Sequence, residues 1–174
     1  MILKELELVH QTIAKRFNAS TTAIIQGAML GKDFFSTLPA ALLTLGNIHA
    51  PLSQTNRLLS CSNPIAEAYG ALSRGYKVPG WGSSFVKGEP DPVFDRLRSL
   101  LKEKYPDKIE IVDEISKMLN LFPNASCYTI LSHWHIKKDL VDTRSIKAAE
   151  FLITSRMPVW TDLYLEHYYK GCES

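Results

Sequence analysis

The chain has 174 residues, of which 45% are hydrophobic and 22% are charged, as is typical of one globular domain with a buried core. This composition excludes a disordered chain, and apolar runs such as 38–43 are much shorter than the roughly 18 to 20 residues that span a bilayer. The net charge is only +2 and the basic residues are scattered, which argues against a nucleic-acid partner.

The first three predicted elements are helices. Apolar residues recur at three- and four-residue spacing over 3–16. Asn18 is expected to cap a second helix over 21–30, and Asp33 a third over 34–45. Because the third helix has almost no charged face, we expect it to be buried on all sides, either in the core or against another subunit.

The rest of the chain is also predicted to be helical, apart from a long loop over 75–92 that is rich in glycine and proline. The further predicted helices cover 51–60, 63–73, 93–104, 108–121, 125–137 and 144–170. Pro158 predicts a break in the last of these. No two strands pair convincingly, so the predicted fold class is all-α.

The cysteines Cys61, Cys127 and Cys172 are odd in number and show no CxxC spacing. This pattern indicates reduced thiols and excludes a disulfide framework or a zinc knuckle. The first residues mix both signs of charge, unlike a secretory signal. We therefore expect a cytoplasmic protein.

Histidines provide the first candidate functional groups. His49 lies where one predicted helix ends and the next begins, and backbone N–H groups there favour a neutral ring that can donate a hydrogen bond to an enol or carbonyl oxygen. A capping or packed histidine is the alternative. His133 and His135 diverge by about 200° on a helix, which argues against metal binding.

The long loop provides the second candidate site. Its central residues are Val78, Pro79, Gly80, Trp81 and Gly82. The glycines let the backbone approach a flat or anionic ligand, and Lys87 is close enough in sequence to bind a phosphate. The alternative is a tight connection between helices with an aromatic anchor, and no strand precedes the loop to make it a dinucleotide fingerprint.

Five sequence landmarks occur in order along the chain: Asn18–Thr21, Gly46–Leu52, Val78–Gly82, Asp91–Pro92 and Pro123–Ala125. In these landmarks and their order the chain resembles the citrate synthase and citryl-CoA lyase superfamily. The resemblance runs over nearly the whole chain and corresponds to the later part of a family chain. It implies one citrate-synthase-like helical domain over 1–174 that lacks the family's N-terminal part and C-terminal tail.

The resemblance implies three catalytic positions, of which one is kept. A histidine at the position of His49 stabilises the enol of acetyl-CoA in the family, whereas a second histidine and an aspartate are replaced here by Ser83 and Ser126. Serine is no proton shuttle near neutral pH and does not abstract a proton from carbon. The family's Asp-Pro-Arg reads Asp-Pro-Val over 91–93, so the arginine for a substrate carboxylate is lost as well.

The resemblance also implies a ligand and an assembly. Lys87 lies where the family has a basic residue for the phosphates of coenzyme A, and the backbone of Val78–Gly82 would cradle the adenine. The resemblance therefore implies coenzyme A or acetyl-CoA as the ligand, and the alternative is a loop kept for purely structural reasons. The helices over 21–30 and 34–45 match the family's dimer interface, so we expect a homodimer. The aromatic tail is expected to be a further contact; it comprises Trp160, Tyr164, Tyr168 and Tyr169.

We therefore predict a homo-oligomeric protein without citrate synthase activity that has a structural or CoA-binding role. The alternative is an active CoA-thioester enzyme of the lyase, acyltransferase or hydrolase type. In it, His49 polarises the thioester carbonyl, and Ser83, Asp91 or a nearby acid replaces the missing groups. A third possibility is a scaffold for another protein.

Overall fold

A computed structural model of the chain describes residues 1–45, 50–83, 86, 88–136 and 143–172. Within these ranges the chain forms nine α-helices, one short 3-10 helix and an isolated β-bridge, and no strand. The helices are α1 (Ile2–Ala14), α2 (Ala19–Met29), α3 (Phe34–Leu43), α4 (Leu52–Ser60), α5 (Pro64–Ser73), α6 (Asp95–Lys104), α7 (Pro106–Leu119), α8 (Ala125–Ser132) and α9 (Thr143–Cys172), with the 3-10 helix Pro92–Phe94 before α6. The predicted all-α class is confirmed.

Three helix starts follow from local side-chain chemistry. Asn18, Asp33 and Asn63 each accept a hydrogen bond from the backbone N–H three residues later, at 3.0–3.1 Å. These bonds satisfy N–H groups that have no acceptor within their own helix. The predicted starts of α2, α3 and α5 are therefore confirmed to within a residue or two.

Two predicted helix boundaries are wrong. Helix α8 ends at Ser132 rather than near 137, because the backbone N–H of His133 bonds to carbonyls both three and four residues back. Helix α9 continues through Pro158 without the predicted break. Pro158 and Thr154, the residue whose carbonyl would accept from position 158, are both exposed, so solvent can satisfy that carbonyl.

The apolar helix α3 is not buried on all sides within this chain. Only Thr37 and Ala41 are buried, whereas Phe35 and Leu43 are 83% and 85% exposed. One face of α3 packs against α2 and the opposite face is left open. Burial in the core was therefore the wrong expectation, and burial against another subunit remains a prediction.

The buried apolar residues form two clusters. The first joins α1 and α4–α8 to the start of α9, and the second joins the end of α1, α2 and α3 to the later part of α9. Trp160 and Tyr164 lie in the second cluster, where the Tyr164 ring contacts Phe34 at a centroid distance of 5.2 Å. These two aromatic residues are therefore interior, not the expected contact surface. Among the described helices, none is both long and apolar enough to cross a membrane.

Gly27 sets how closely α2 and α3 approach. A Cβ at this position would lie 2.4 Å from Cγ2 of Thr37. We expect Gly27→Ala to lower the free energy of unfolding by about 1–3 kcal/mol, because the clash outweighs the better helix propensity of alanine. Urea unfolding followed by circular dichroism measures this change.

Gly70→Ala is the matched control, because the nearest atom to a Cβ there is 3.7 Å away, in the flexible side chain of Arg74. It should raise the stability by about 0.5–1 kcal/mol. Adding Thr37→Ala to Gly27→Ala should recover part of the loss. If Gly27→Ala were as stable as Gly70→Ala, close packing of α2 on α3 would be contradicted.

Candidate functional site

The glycine-rich loop 78–82 packs against the segment that precedes α8. The backbone N–H of Gly82 donates to the carbonyl of Phe122 at 2.8 Å, and the N–H of Asn124 donates to the carbonyl of Gly80 at 2.9 Å. The side-chain amide of Asn124 also donates to the carbonyl of Gly82 at 3.0 Å. Two of the sequence landmarks are thus joined in space.

The loop residues have packing roles that the sequence left open. Gly80 has a φ of +93°, and a Cβ there would lie 2.8 Å from Cγ2 of Thr55. Trp81 is buried, and its indole N–H donates to the hydroxyl of Ser116 at 2.9 Å. The aromatic anchor is therefore real, and ligand binding by this loop remains a prediction.

Ser83 and Ser126 lie in different environments. Ser83 is exposed at the edge of a cavity of about 130 Å³, which Gly82, Asp91 and Pro123 also line. Ser126 is buried in the first turn of α8, where its backbone N–H donates to the side chain of Asn124 at 2.9 Å, and it does not line this cavity. The cavity is smaller than the roughly 300–1,000 Å³ of common small-molecule sites.

Asp91 is held in an ion pair rather than poised as a base. Both terminal nitrogens of Arg16 donate to its carboxylate, the second at 3.0 Å, and the backbone N–H of Val93 donates to it at 3.2 Å. The hydrogen bond from Arg16 lowers the pKa of Asp91 below its ordinary value. Asp91 therefore fixes the end of α1 to the start of the 3-10 helix.

Two of the predicted site residues, His49 and Lys87, lie outside the described residues. Their roles remain predictions from the sequence.

A buried polar network connects α1, α8 and α9, and sequence reasoning missed it. The hydroxyl of Thr129 donates to the carbonyl of Ala125 at 2.6 Å, so its oxygen accepts from Nε2 of His10 at 3.0 Å. Nδ1 of His10 is then free to accept from Nη2 of Arg156 at 3.4 Å. This order of donors requires a neutral His10, and burial lowers the pKa of His10 well below its ordinary value.

Arg156 is the unusual member of this network. Its side chain is buried, and burial lowers its pKa to about 10, so it stays protonated at neutral pH. In the described part of the chain no carboxylate pairs with it, and its Nε has no hydrogen-bond partner. Arg156 does not line the cavity beside Ser83, so its charge and its unused Nε–H donor lie inside the protein.

A sequence signal for both residues exists in the helical spacing. His10 lies four residues from Leu6 and Ala14, and Arg156 lies four residues from Leu152 and Trp160. All four of these neighbours are buried. A polar residue at the centre of an apolar helix face is expected to point into the core, where it needs a partner.

His133 takes part in local structure. Its Nδ1 lies 2.8 Å from the carbonyl of Thr129, which can only accept, so Nδ1 carries the proton. Burial lowers the pKa of His133. Its ring stacks on that of His135 at a centroid distance of 6.3 Å, and the described residues contain no group of three or more metal-ligating side chains.

The neutral His10 predicts an acid-sensitive stability. The pKa of His10 is lower in the folded state than in the unfolded state, where it is near 6.5. The stability that His10 contributes is therefore present above pH 6.5 and is lost as the pH falls below this value. Over this range the free energy of unfolding of the wild type should fall by about 1.4 kcal/mol per pH unit, because the unfolded state binds one proton more than the folded state. His10→Gln keeps a donor for Thr129 and should flatten that part of the slope, as measured by urea unfolding between pH 4.5 and 7.5.

Part of the slope should remain in His10→Gln, because the lowered pKa of His133 acts in the same direction. Thr12→Gln is the control, since Thr12 is exposed on the same helix and has no titratable side chain, and it should keep the wild-type slope. A His10→Gln profile identical to that of the wild type would show that the folded protein protonates His10 freely.

Three solved structures have this arrangement of helices. ATP citrate lyase from Methanothrix soehngenii, in complex with citrate and coenzyme A, matches 97% of this chain with a TM-score of 0.72 and 18% identity. A mutant of ATP citrate lyase from Methanosaeta concilii, in complex with (3S)-citryl-CoA, matches 97% with a TM-score of 0.78 and 19% identity. Citryl-CoA lyase from Hydrogenobacter thermophilus matches 95% with a TM-score of 0.70 and 19% identity.

The match covers different shares of these proteins. The chain spans 31% of each ATP citrate lyase chain and 68% of the citryl-CoA lyase chain. No family model and no curated protein sequence matches it. At this level of identity the likeness concerns the fold alone: the chain has the all-α fold of these ATP citrate lyases and of citryl-CoA lyase, as the sequence landmarks predict.

Proposed function

We propose that this protein binds coenzyme A or acetyl-CoA as a homo-oligomer and does not condense acetyl-CoA with oxaloacetate. The observation that carries the proposal is the buried Ser126 in the first turn of α8. At the position where the resemblance expects a carboxylate base, the side chain is a hydroxyl that cannot take a proton from carbon.

The neighbouring groups do not replace this base. Asp91 is engaged by Arg16, which lowers its pKa and makes it a weaker base than a free carboxylate. The buried network next to α8 holds His10 between a hydroxyl and a guanidinium, so its neutral ring has no unused nitrogen. Neither group is available to accept a proton from a substrate.

Binding of an anionic ligand is supported by the sequence resemblance and by the ligands of similar structures. Lys87 lies where the resemblance implies a basic residue for the phosphates of coenzyme A. The two ATP citrate lyase structures of this fold hold coenzyme A or citryl-CoA.

Titration calorimetry with acetyl-CoA tests the ligand. We expect saturable binding at one site per chain, with an affinity that falls at least fivefold in Lys87→Ala because a phosphate contact is lost. Lys77→Ala is the matched control, since Lys77 is an exposed lysine at the start of the same loop. With oxaloacetate added, citrate should not form above background.

Two results would contradict the proposal. If millimolar acetyl-CoA gave neither heat of binding nor thermal stabilisation, acetyl-CoA binding would be contradicted, because a ligand that binds only the native state must stabilise it. Formation of citrate by the purified protein would remove the claim that the condensing activity is lost.

The homo-oligomer is supported by the open face of α3. Phe35, Pro39 and Leu43 are four residues apart, share one face and are all exposed. Met29 and Leu30 at the end of α2 are also exposed. An apolar face of this kind, with no charged residue between 34 and 43, marks an interaction surface.

Light scattering after gel filtration tests this assembly. The wild type should have twice the chain mass of 19.6 kDa, and Phe35→Glu should be monomeric because it buries a charge in the interface. Leu72→Glu is the control, since Leu72 is an exposed leucine on α5. A monomeric wild type, or a dimer unaffected by Phe35→Glu, would contradict an interface on α3.

A further inference from the structure

We draw no further inference here: the strongest candidate, the apolar groove between the end of α3, the start of α4 and the first turns of α9, is an unpartnered apolar surface, and nothing in the structure shows what covers it.

Discussion

The continuity of α9 is the constraint on which the rest of the structure depends. This helix of 30 residues, about 45 Å long, contributes Ala148 and Leu152 to the first apolar cluster and Val159 and Trp160 to the second. It contacts α1, α2, α4 and α8. A break at Pro158 would divide it between the two clusters, so its course through the proline fixes how they are joined.

The parts of the fold that sequence predicts well are those that short-range chemistry decides. Asn18, Asp33 and Asn63 cap helices with their own side chains, so the starts of α2, α3 and α5 are readable from a few residues. The end of α8 at Ser132 depends instead on how the chain turns after this helix. The continuation of α9 through Pro158 depends on whether solvent reaches the carbonyl that loses its hydrogen bond. Local propensity carries no information on either.

The candidate site divides in the same way. The order of the landmarks identifies Ser83 and Ser126 as substituted positions, yet only the fold shows that one is exposed at a small cavity and the other is buried in α8. The pair of His10 and Arg156 spans nearly the whole sequence. Helical spacing marks each as an inward-facing polar residue, but no pattern within one helix can name the partner on another.

The same helix α9 also carries the unsatisfied polar groups. Among the described residues, the buried side-chain nitrogen and oxygen atoms without a hydrogen bond belong to Arg144, Ser145, Arg156 and Trp160. Native proteins leave few such atoms, and each costs about 1–3 kcal/mol. An apolar residue of similar size at position 156 would avoid that cost, but it would leave Nδ1 of the buried His10 without the donor that Arg156 supplies at 3.4 Å.

Arg156 marks the place where the two apolar clusters meet on α9. It lies four residues after Leu152 of the first cluster and three before Val159 of the second, so it shares their inward face. Its guanidinium donates to Nδ1 of His10 on α1, and the same ring bonds to Thr129 on α8. Because α9 is continuous, these hydrogen bonds tie α1 and α8 to the one helix that serves both clusters.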